Sequence, residues 1–354
     1  MNYSRQSPAR SVIGSSSRFL LGYVLASLGV LLSAGGGSWD INNHLLNKPE
    51  TFFAPPHMLL YSGVGATVAG AAILFLTSRR AGITILPVKL VVAGVVMLVA
   101  AGPIDFAWHS AFGLDGLLSP PHLVLVSGMV ASSAGALAGM VHHGSMASRE
   151  LRLSTPLIII GVLPVWLAAS GVVDMFSLPF SETGYFDFNP HPVLGVAVAT
   201  LAFPVLMSAL ACVSSALSGR RFGVVTAAGA AFIAISVLTS IVPNDALIPT
   251  IPFYLANIIP FLAADALLSF SRSRISAYAA GALVGIAFFT LYYPLITYAY
   301  NEVLDQKTVW PSLIAPTYFE MLGTAFPLVA APAAAMGVIG AVAGEKLAIK
   351  NKAL

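Results

Sequence analysis

Residues 55–63 read PPHMLLYSG, and residues 120–128 repeat that phrase as PPHLVLVSG. In each copy a proline pair precedes a histidine and an apolar run. Proline suits the first turn of a helix, where its missing N–H is not needed, so each phrase predicts the start of a helix. The copies lie 65 residues apart, which is room for two membrane spans. The period therefore predicts helical hairpins that repeat in parallel along the chain.

A set of polar residues has the same period. Each copy contains an aspartate, a histidine four residues later and a second histidine thirteen residues after that. The first set is Asp40, His44 and His57, and the second set is Asp105, His109 and His122. A third set keeps Asp174 and His191 but has Leu178 in the middle position. Since the chain has 7 histidines in all, this register indicates a duplicated site.

Composition places the chain in a membrane. Hydrophobic residues make up 57% and charged residues 9%, a balance that soluble domains of this size do not show. We expect an all-α integral membrane protein with about ten transmembrane helices. The apolar stretches lie at about 17–37, 56–77, 83–103, 121–141, 157–173, 192–214, 224–242, 247–270, 275–298 and 318–342.

The predicted organisation is one polytopic membrane domain at 17–343 between two cytoplasmic tails. The tails are residues 1–16, expected to be flexible, and residues 344–354. The hairpin repeats cover about 17–80, 81–145, 153–218, 222–272 and 275–343.

The basic residues predict the orientation. Of the 17 lysines and arginines, all but Lys48 and Lys307 fall on one side of the predicted spans. The positive-inside rule then puts both termini in the cytoplasm of a multi-pass plasma membrane protein, with the Asp/His loops outside. The net charge of +3 reflects this anchoring and does not indicate nucleic-acid binding. A single cysteine, Cys212, excludes disulfides and thiolate metal sites.

The three residues of a complete set suit a metal ion. An aspartate and a histidine four residues apart share one face of a helix, and the proline pair fixes the second histidine at the next helix start. Two imidazoles and a carboxylate suit copper, iron or zinc, whereas calcium and magnesium prefer more oxygen ligands. The alternative is that these side chains only cap helices at the interface, but their duplication favours metal. Asp174 and His191 are either supporting ligands or the remains of a decayed repeat.

Other polar residues have simpler interpretations. His142 and His143 fall in a predicted cytoplasmic loop, where we expect them to be exposed to solvent. Asp265 lies within a predicted span and is expected to pair with Arg272 or Arg274, with proton transfer as the alternative. Asn257 falls near the middle of the same span.

The spacing of aspartate, histidine at plus 4 and histidine at plus 17 resembles the metal-binding motif in the C subunit of copper membrane monooxygenases. That family includes the particulate methane and ammonia monooxygenases. The resemblance covers two windows of about 18 residues and implies copper at each complete set, with other membrane subunits as partners. Family members carry one such motif in a shorter subunit, whereas this chain has two complete sets and a partial third.

Three functions follow as hypotheses. The first is an oxidative membrane metalloprotein, in which copper or iron acts on a small apolar substrate that arrives through the bilayer. The second is a cation or metal transporter, in which Asn257 and Asp265 continue a path inward. The third is haem binding through paired histidines such as His57 and His122. Either other subunits or further copies of the chain are expected as partners beside the lipid bilayer.

Overall fold

The structure is a computed structural model. It describes residues 8–45, 51–83, 85–113, 116–148, 153–177, 188, 190–241, 243, 248, 251–271, 273–287 and 311–353. Within these ranges the chain is helical and contains no strand.

Eleven helices and one π-helical turn make up this part of the chain. The first six are α1 (Pro8–Leu45), α2 (Pro55–Ala81), α3 (Leu86–Phe112), α4 (Pro120–Ser148), α5 (Thr155–Ser177) and α6 (Pro192–Leu217). The others are α7 (Val224–Ser236), the π turn (Val237–Ile241), α8 (Ile251–Leu255), α9 (Ile258–Phe270), α10 (Arg274–Ala287) and α11 (Pro311–Ala353).

Seven of these helices are long and apolar enough to cross a membrane: all of α1 to α6 and part of α11. Three shorter apolar helices, Val224–Thr239, Ile258–Phe270 and Arg274–Ala287, fall within further predicted spans. The expectation of an all-α membrane protein in contact with lipid is confirmed at this level. The number of ten spans and the position of the termini stay predictions.

The structure differs from the sequence prediction at several boundaries. Residues 8–16 and 344–353, which are predicted to lie in the tails, are helical and continue α1 and α11. The predicted span 247–270 is divided into α8 and α9 around Asn257. The predicted span 275–298 is helical to Ala287, and its remainder lies outside the described residues.

The repeat is present in the packing as well as in the sequence. In the first hairpin a Cβ at Gly29 would lie 2.6 Å from the carbonyl oxygen of Gly63. In the second hairpin a Cβ at Gly94 would lie 2.6 Å from the carbonyl oxygen of Gly128. Both pairs have the 65-residue period, so α1 crosses α2 as α3 crosses α4. Glycine is required at each crossing because the facing atoms belong to backbone and cannot move aside.

The basic ends of the helices meet away from the Asp/His sets. Arg220 Nη2 lies 2.7 Å from Glu345 Oε1, which joins the turn after α6 to α11. Arg221 in the same turn donates to the carbonyl oxygen of Leu153 at 2.8 Å, just before α5. The three sets lie at the other ends of α1 to α6, so polar sets and basic turns occupy opposite ends of the hairpins.

The C-terminal half contacts α1 close to the first set. The Asn42 amide donates to the carbonyl oxygens of Ser38 at 2.9 Å and of Thr239 at 3.5 Å. The Thr239 hydroxyl also donates to Ser38 Oγ at 3.2 Å. Thr239 lies in the π turn, a helical irregularity that is frequent at functional sites. One turn of α1, which carries Asp40, is thereby held against this irregular backbone.

Candidate metal site

The second set joins the end of α3 to the start of α4. Asp105 and His109 lie four residues apart near the C-terminal end of α3, and His122 lies in the first turn of α4. Helix α3 ends at Gly113, whose φ of +81° is in the left-handed region that favours glycine. The Gly113 N–H donates to the carbonyl oxygen of His109 at 2.9 Å. This cap fixes the last turn, and with it the position of His109.

The side chains of the second set converge on one carboxylate oxygen. Asp105 Oδ1 lies 3.5 Å from His109 Nε2 and 3.4 Å from His122 Nε2. The two imidazole rings have centroids 5.5 Å apart, and one ligand atom from each residue lies within 4.8 Å of the others. The side chains expose 26%, 14% and 17% of their surfaces for Asp105, His109 and His122. The set is therefore compact and largely shielded, as a binding site for an ion requires.

Hydrogen bonding selects which nitrogen of His109 faces the carboxylate. Its Nδ1 lies 3.0 Å from the carbonyl oxygen of Gly113. A carbonyl oxygen only accepts hydrogen bonds, so Nδ1 carries the proton in this contact. In the neutral ring, Nε2 then presents a lone pair toward Asp105 Oδ1, which is also an acceptor. Two acceptors that face each other attract a cation between them, and metal-ligating histidines commonly have this arrangement.

The distances fit a small transition-metal ion. An ion with tetrahedral bonds of about 2.0–2.1 Å holds neighbouring ligand atoms roughly 3.3–3.4 Å apart. The observed separations from Asp105 Oδ1 are 3.5 and 3.4 Å, near the outer limit for a direct hydrogen bond. The donor types, two nitrogens and one oxygen, also suit copper, iron or zinc. The residues present therefore fit such an ion.

The first set brings together Asp40 on α1 and His57 on α2. Asp40 Oδ1 lies 3.1 Å from His57 Nε2. The other ring nitrogen, Nδ1, lies 2.9 Å from the carbonyl oxygen of Thr51, so the same tautomer is selected as in His109. His44 belongs to the last turn of α1, but its side chain lies outside the described part of the chain. Asp40 and His57 are thus in contact, and the backbone of His44 lies on α1 four residues after Asp40, as the sequence predicts.

Aromatic rings connect the surroundings of the first and second sets. Each described imidazole contacts the aspartate of its own copy, and aromatic rings lie between the copies. The Phe52 ring is 5.0 Å from Tyr61 and 5.4 Å from Phe106, measured between centroids. Tyr61 in turn stacks on His57 at 5.9 Å, while Phe106 follows Asp105 in α3. The described contacts thus form an aromatic cluster that lies beside both sets.

The third set is different. His191 is exposed, and its Nδ1 accepts a hydrogen bond from the Val193 N–H at 3.3 Å as the N-cap of α6. This is the structural role that helix capping predicts for an isolated histidine at a helix start. Asp174 lies in the last turn of α5. The described residues show no contact between Asp174 and His191, so this set is not assembled as the other two are.

Two further expectations need correction. His143 is buried, because α4 continues to Ser148 and the ring packs 4.5 Å from Phe19 of α1, measured between centroids. Asp265 is also buried, and it accepts hydrogen bonds from the Gly223 N–H and the Thr226 N–H, both at 2.9 Å. The described residues show no ion pair between Asp265 and Arg274, and Arg272 lies outside them. Asp265 therefore caps α7, since a helix start offers unpaired N–H groups that a carboxylate satisfies.

Sequence reasoning missed the backbone partners of the histidines. The carbonyl oxygens of Thr51 and Gly113 orient His57 and His109, yet they stand at different spacings from the motif. Gly113 carries a signal that was available, because a glycine four residues after the histidine of an exit helix is typical of a helix end. Thr51 carries no such signal in the sequence, since any residue at that position would provide a carbonyl group.

Comparison with known proteins adds no information on the site. No protein-family model, no curated protein and no solved structure matches the chain. The resemblance to the copper membrane monooxygenase subunit therefore depends on the spacing and residue types of the two sets.

Proposed function

We propose that this chain is a membrane metalloprotein that binds a first-row transition ion at Asp105, His109 and His122. The observation that supports it best is the pair of imidazole Nε2 atoms at 3.4 and 3.5 Å from one shielded carboxylate oxygen. The tautomer of His109 aims a lone pair at the same point. A second centre of the same type lies at Asp40 and His57, with His44 as its third ligand.

Copper is the ion we propose first, with iron and zinc as alternatives. Two imidazoles and one carboxylate leave coordination positions open, and copper or iron there would supply oxidative chemistry with oxygen. The function that follows is a monooxygenase-like oxidoreductase, or one subunit of it, in the plasma membrane. Its substrate would be a small apolar molecule, because both sets lie at the ends of helices that are apolar enough to cross a membrane. The resemblance to copper membrane monooxygenases supports this class.

Metal analysis of the purified full-length protein tests the proposal. We expect bound copper or another first-row ion, and we expect no Soret band. His109→Ala and His122→Ala should each remove the ion from the second set, because two remaining donors hold it poorly against water. His142→Ala is the matched control, since His142 lies on α4 far from the start of that helix. Equal metal content in all four proteins would contradict the proposal.

Cation transport is the second candidate, and one observation favours it. Helices α8 and α9 are separated at Asn257, and the π turn interrupts the span that begins with α7. Discontinuous helices are typical of ion sites in transporters. The π turn also contacts α1 through Asn42, two residues after Asp40. An ion collected at the first set would then meet irregular backbone on its way inward.

Uptake into proteoliposomes separates the two candidates. A transporter would accumulate Cu²⁺, Zn²⁺ or Fe²⁺ inside vesicles, and Asn257→Ala would reduce the rate without removing tightly bound metal. An oxidoreductase would retain its ion and show no uptake above that of empty vesicles. Haem is the least favoured candidate, since the Nε2 atoms of His57 and His122, which would have to bind its iron, lie 3.1 Å from Asp40 Oδ1 and 3.4 Å from Asp105 Oδ1.

A further inference from the structure

Phe188 of the third repeat contacts residues on both sides of the second set. Its carbonyl oxygen accepts a hydrogen bond from the Leu118 N–H at 3.2 Å. Its ring lies 5.8 Å from the Trp108 indole between centroids, in an edge-to-face arrangement at 65°. These two partners belong to the two arms of the second set, because Trp108 precedes His109 on α3 and Leu118 precedes the proline pair before His122.

The conformation of Phe188 is unusual for its residue type. Its φ of +61° lies in the left-handed region, which bulky residues adopt at a cost. Glycine or asparagine would adopt that backbone more easily, but neither has a ring to place against Trp108. A strained residue persists where its surroundings hold it, and such residues concentrate at functional sites.

We propose that Phe188 is a positioning residue for the metal site of the second set. This inference rests on the proposed function. The distance between the α3 arm, with Asp105 and His109, and the α4 arm, with His122, decides whether three ligands reach one ion. Phe188 contacts both arms at once, with its ring on one and its carbonyl group on the other. It thereby fixes the distance between the arms, as outer partners of metal ligands commonly do.

This role also accounts for the state of the third repeat. Its middle histidine is replaced by Leu178, and His191 caps α6 instead of meeting Asp174. The third repeat has no assembled ligand set of its own, but through Phe188 it positions the ligand set of the second repeat. The first set has no such contact among the described residues, so the effect of Phe188 should be specific to the second set.

The experiment uses the full-length protein in detergent with Co²⁺ as a spectroscopic probe. A His57→Ala background disables the first set, so that visible absorption and affinity report on the second set alone. In that background, Phe188→Gly keeps the backbone hydrogen bond and suits the positive φ, but it removes the ring. We expect Co²⁺ affinity to fall about 10-fold to 100-fold, with a change in the absorption bands. Phe188→Tyr should restore both, because its ring can occupy the same place.

Phe112→Ala is the matched control. The Phe112 ring also packs on Trp108, at 4.6 Å between centroids, but it belongs to the same helix and does not link the arms. We expect its Co²⁺ affinity to remain within about twofold of the background protein. Phe188→Asn, which also tolerates a positive φ, replaces Phe188→Gly if the glycine variant does not fold.

Each outcome bears on one claim. Unchanged affinity and spectrum in Phe188→Gly, together with loss in His122→Ala, would overturn the positioning role and leave the metal site intact. An equal loss in Phe112→Ala would also overturn it, because general packing on Trp108 would then be the cause. Failure of the His57→Ala protein to bind Co²⁺ more tightly than a His57→Ala, His122→Ala protein would instead overturn the proposed function.

Discussion

Gly113 serves the second set in two ways. Its left-handed backbone ends α3, and its carbonyl oxygen orients the His109 ring by accepting from Nδ1 at 3.0 Å. The helix end contributes to stability, whereas the hydrogen bond sets the direction in which the lone pair of His109 Nε2 points. Substitution can separate them, because another glycine ends a helix in the same way without a histidine beside it.

Gly113→Ala should lower both stability and metal affinity. With φ of +81° and ψ of −168°, the Gly113 backbone is one that essentially only glycine adopts, so a Cβ there costs about 1–3 kcal/mol, and the backbone shift that relieves it moves the acceptor of His109. Gly82→Ala is the control, since Gly82 caps α2 with φ of +66° and, like Gly113, has open space around its Cβ position. Thermal unfolding in detergent should show a loss for both variants, and a larger one for Gly113→Ala, because Gly82 has the αL backbone (ψ of 20°) that alanine adopts at lower cost. Metal affinity should fall in Gly113→Ala alone, and an equal fall in Gly82→Ala would refute the orienting role.

His191→Ala should affect stability and leave the metal in place. Loss of the N-cap of α6 costs about 0.5–2 kcal/mol, toward the lower end for an exposed cap at 3.3 Å. Metal content should match that of the unaltered protein, and any reduction in affinity should stay below about 100-fold. His122→Ala provides the comparison, with loss of metal from the second set. Complete loss of metal in His191→Ala would show that the third set supplies a ligand after all.

At the scale of helices, the glycine contacts where helices cross have the same 65-residue period as the Asp/His sets. Gly94→Ala would place a Cβ 2.6 Å from the carbonyl oxygen of Gly128 and 2.7 Å from the Ser132 nitrogen, so α3 and α4 must separate. Overpacking of this kind costs about 1–3 kcal/mol. Because Asp105 and His122 lie on these two helices, metal affinity should fall with stability.

Gly65→Ala is the matched control for that substitution. Gly65 lies on α2 with open space around its Cβ position, so alanine there should be neutral or slightly stabilising. Thermal unfolding and metal titration in the same detergent compare the two variants. A Gly94→Ala protein as stable as Gly65→Ala would show that the helices cross differently from the structure.

Asp265 supports α7 from the neighbouring α9. Asp265→Ala should lower the free energy of unfolding by about 2 kcal/mol, because it leaves the partly buried N–H groups of Gly223 and Thr226 without their charged acceptor. Thr226→Val, which removes one hydroxyl donor at 2.8 Å, should cost about 1 kcal/mol. Arg274→Ala should have little effect, and a loss there equal to that of Asp265→Ala would restore the ion pair expected from the sequence. Chemical denaturation measures all three.

The sequence predicts helices and ligands well where a pattern is local. Proline pairs, apolar runs and the spacing of Asp105 and His109 depend on neighbouring residues, so α1 to α6 and the convergence of Asp105, His109 and His122 could be predicted. The cap of α7 by Asp265 and the contacts of Phe188 depend on residues far apart in the chain. No periodicity marks such partners, because they are decided by how the finished helices pack.

At the scale of the whole molecule, the charges remain the best guide to orientation. We expect Lys48→Cys and Asp115→Cys to react with a membrane-impermeant thiol reagent from outside intact cells, and Arg80→Cys to react only after the membrane is opened. Cys212 is buried and should contribute little background labelling. Labelling of Arg80→Cys from outside would invert the orientation and place both sets on the cytoplasmic side.

Each complete set lies within a single hairpin, and this has a consequence for biogenesis. The ligands of the second set come from α3 and α4 only, so all of them are present once α4 has entered the membrane, long before α11 is synthesised. Asp40 and His57 likewise meet across α1 and α2, near the N-terminus. Under the proposed function, the ion would have its ligands in place while the ribosome is still translating the chain, and a loaded hairpin would offer a stable template on which the later helices assemble.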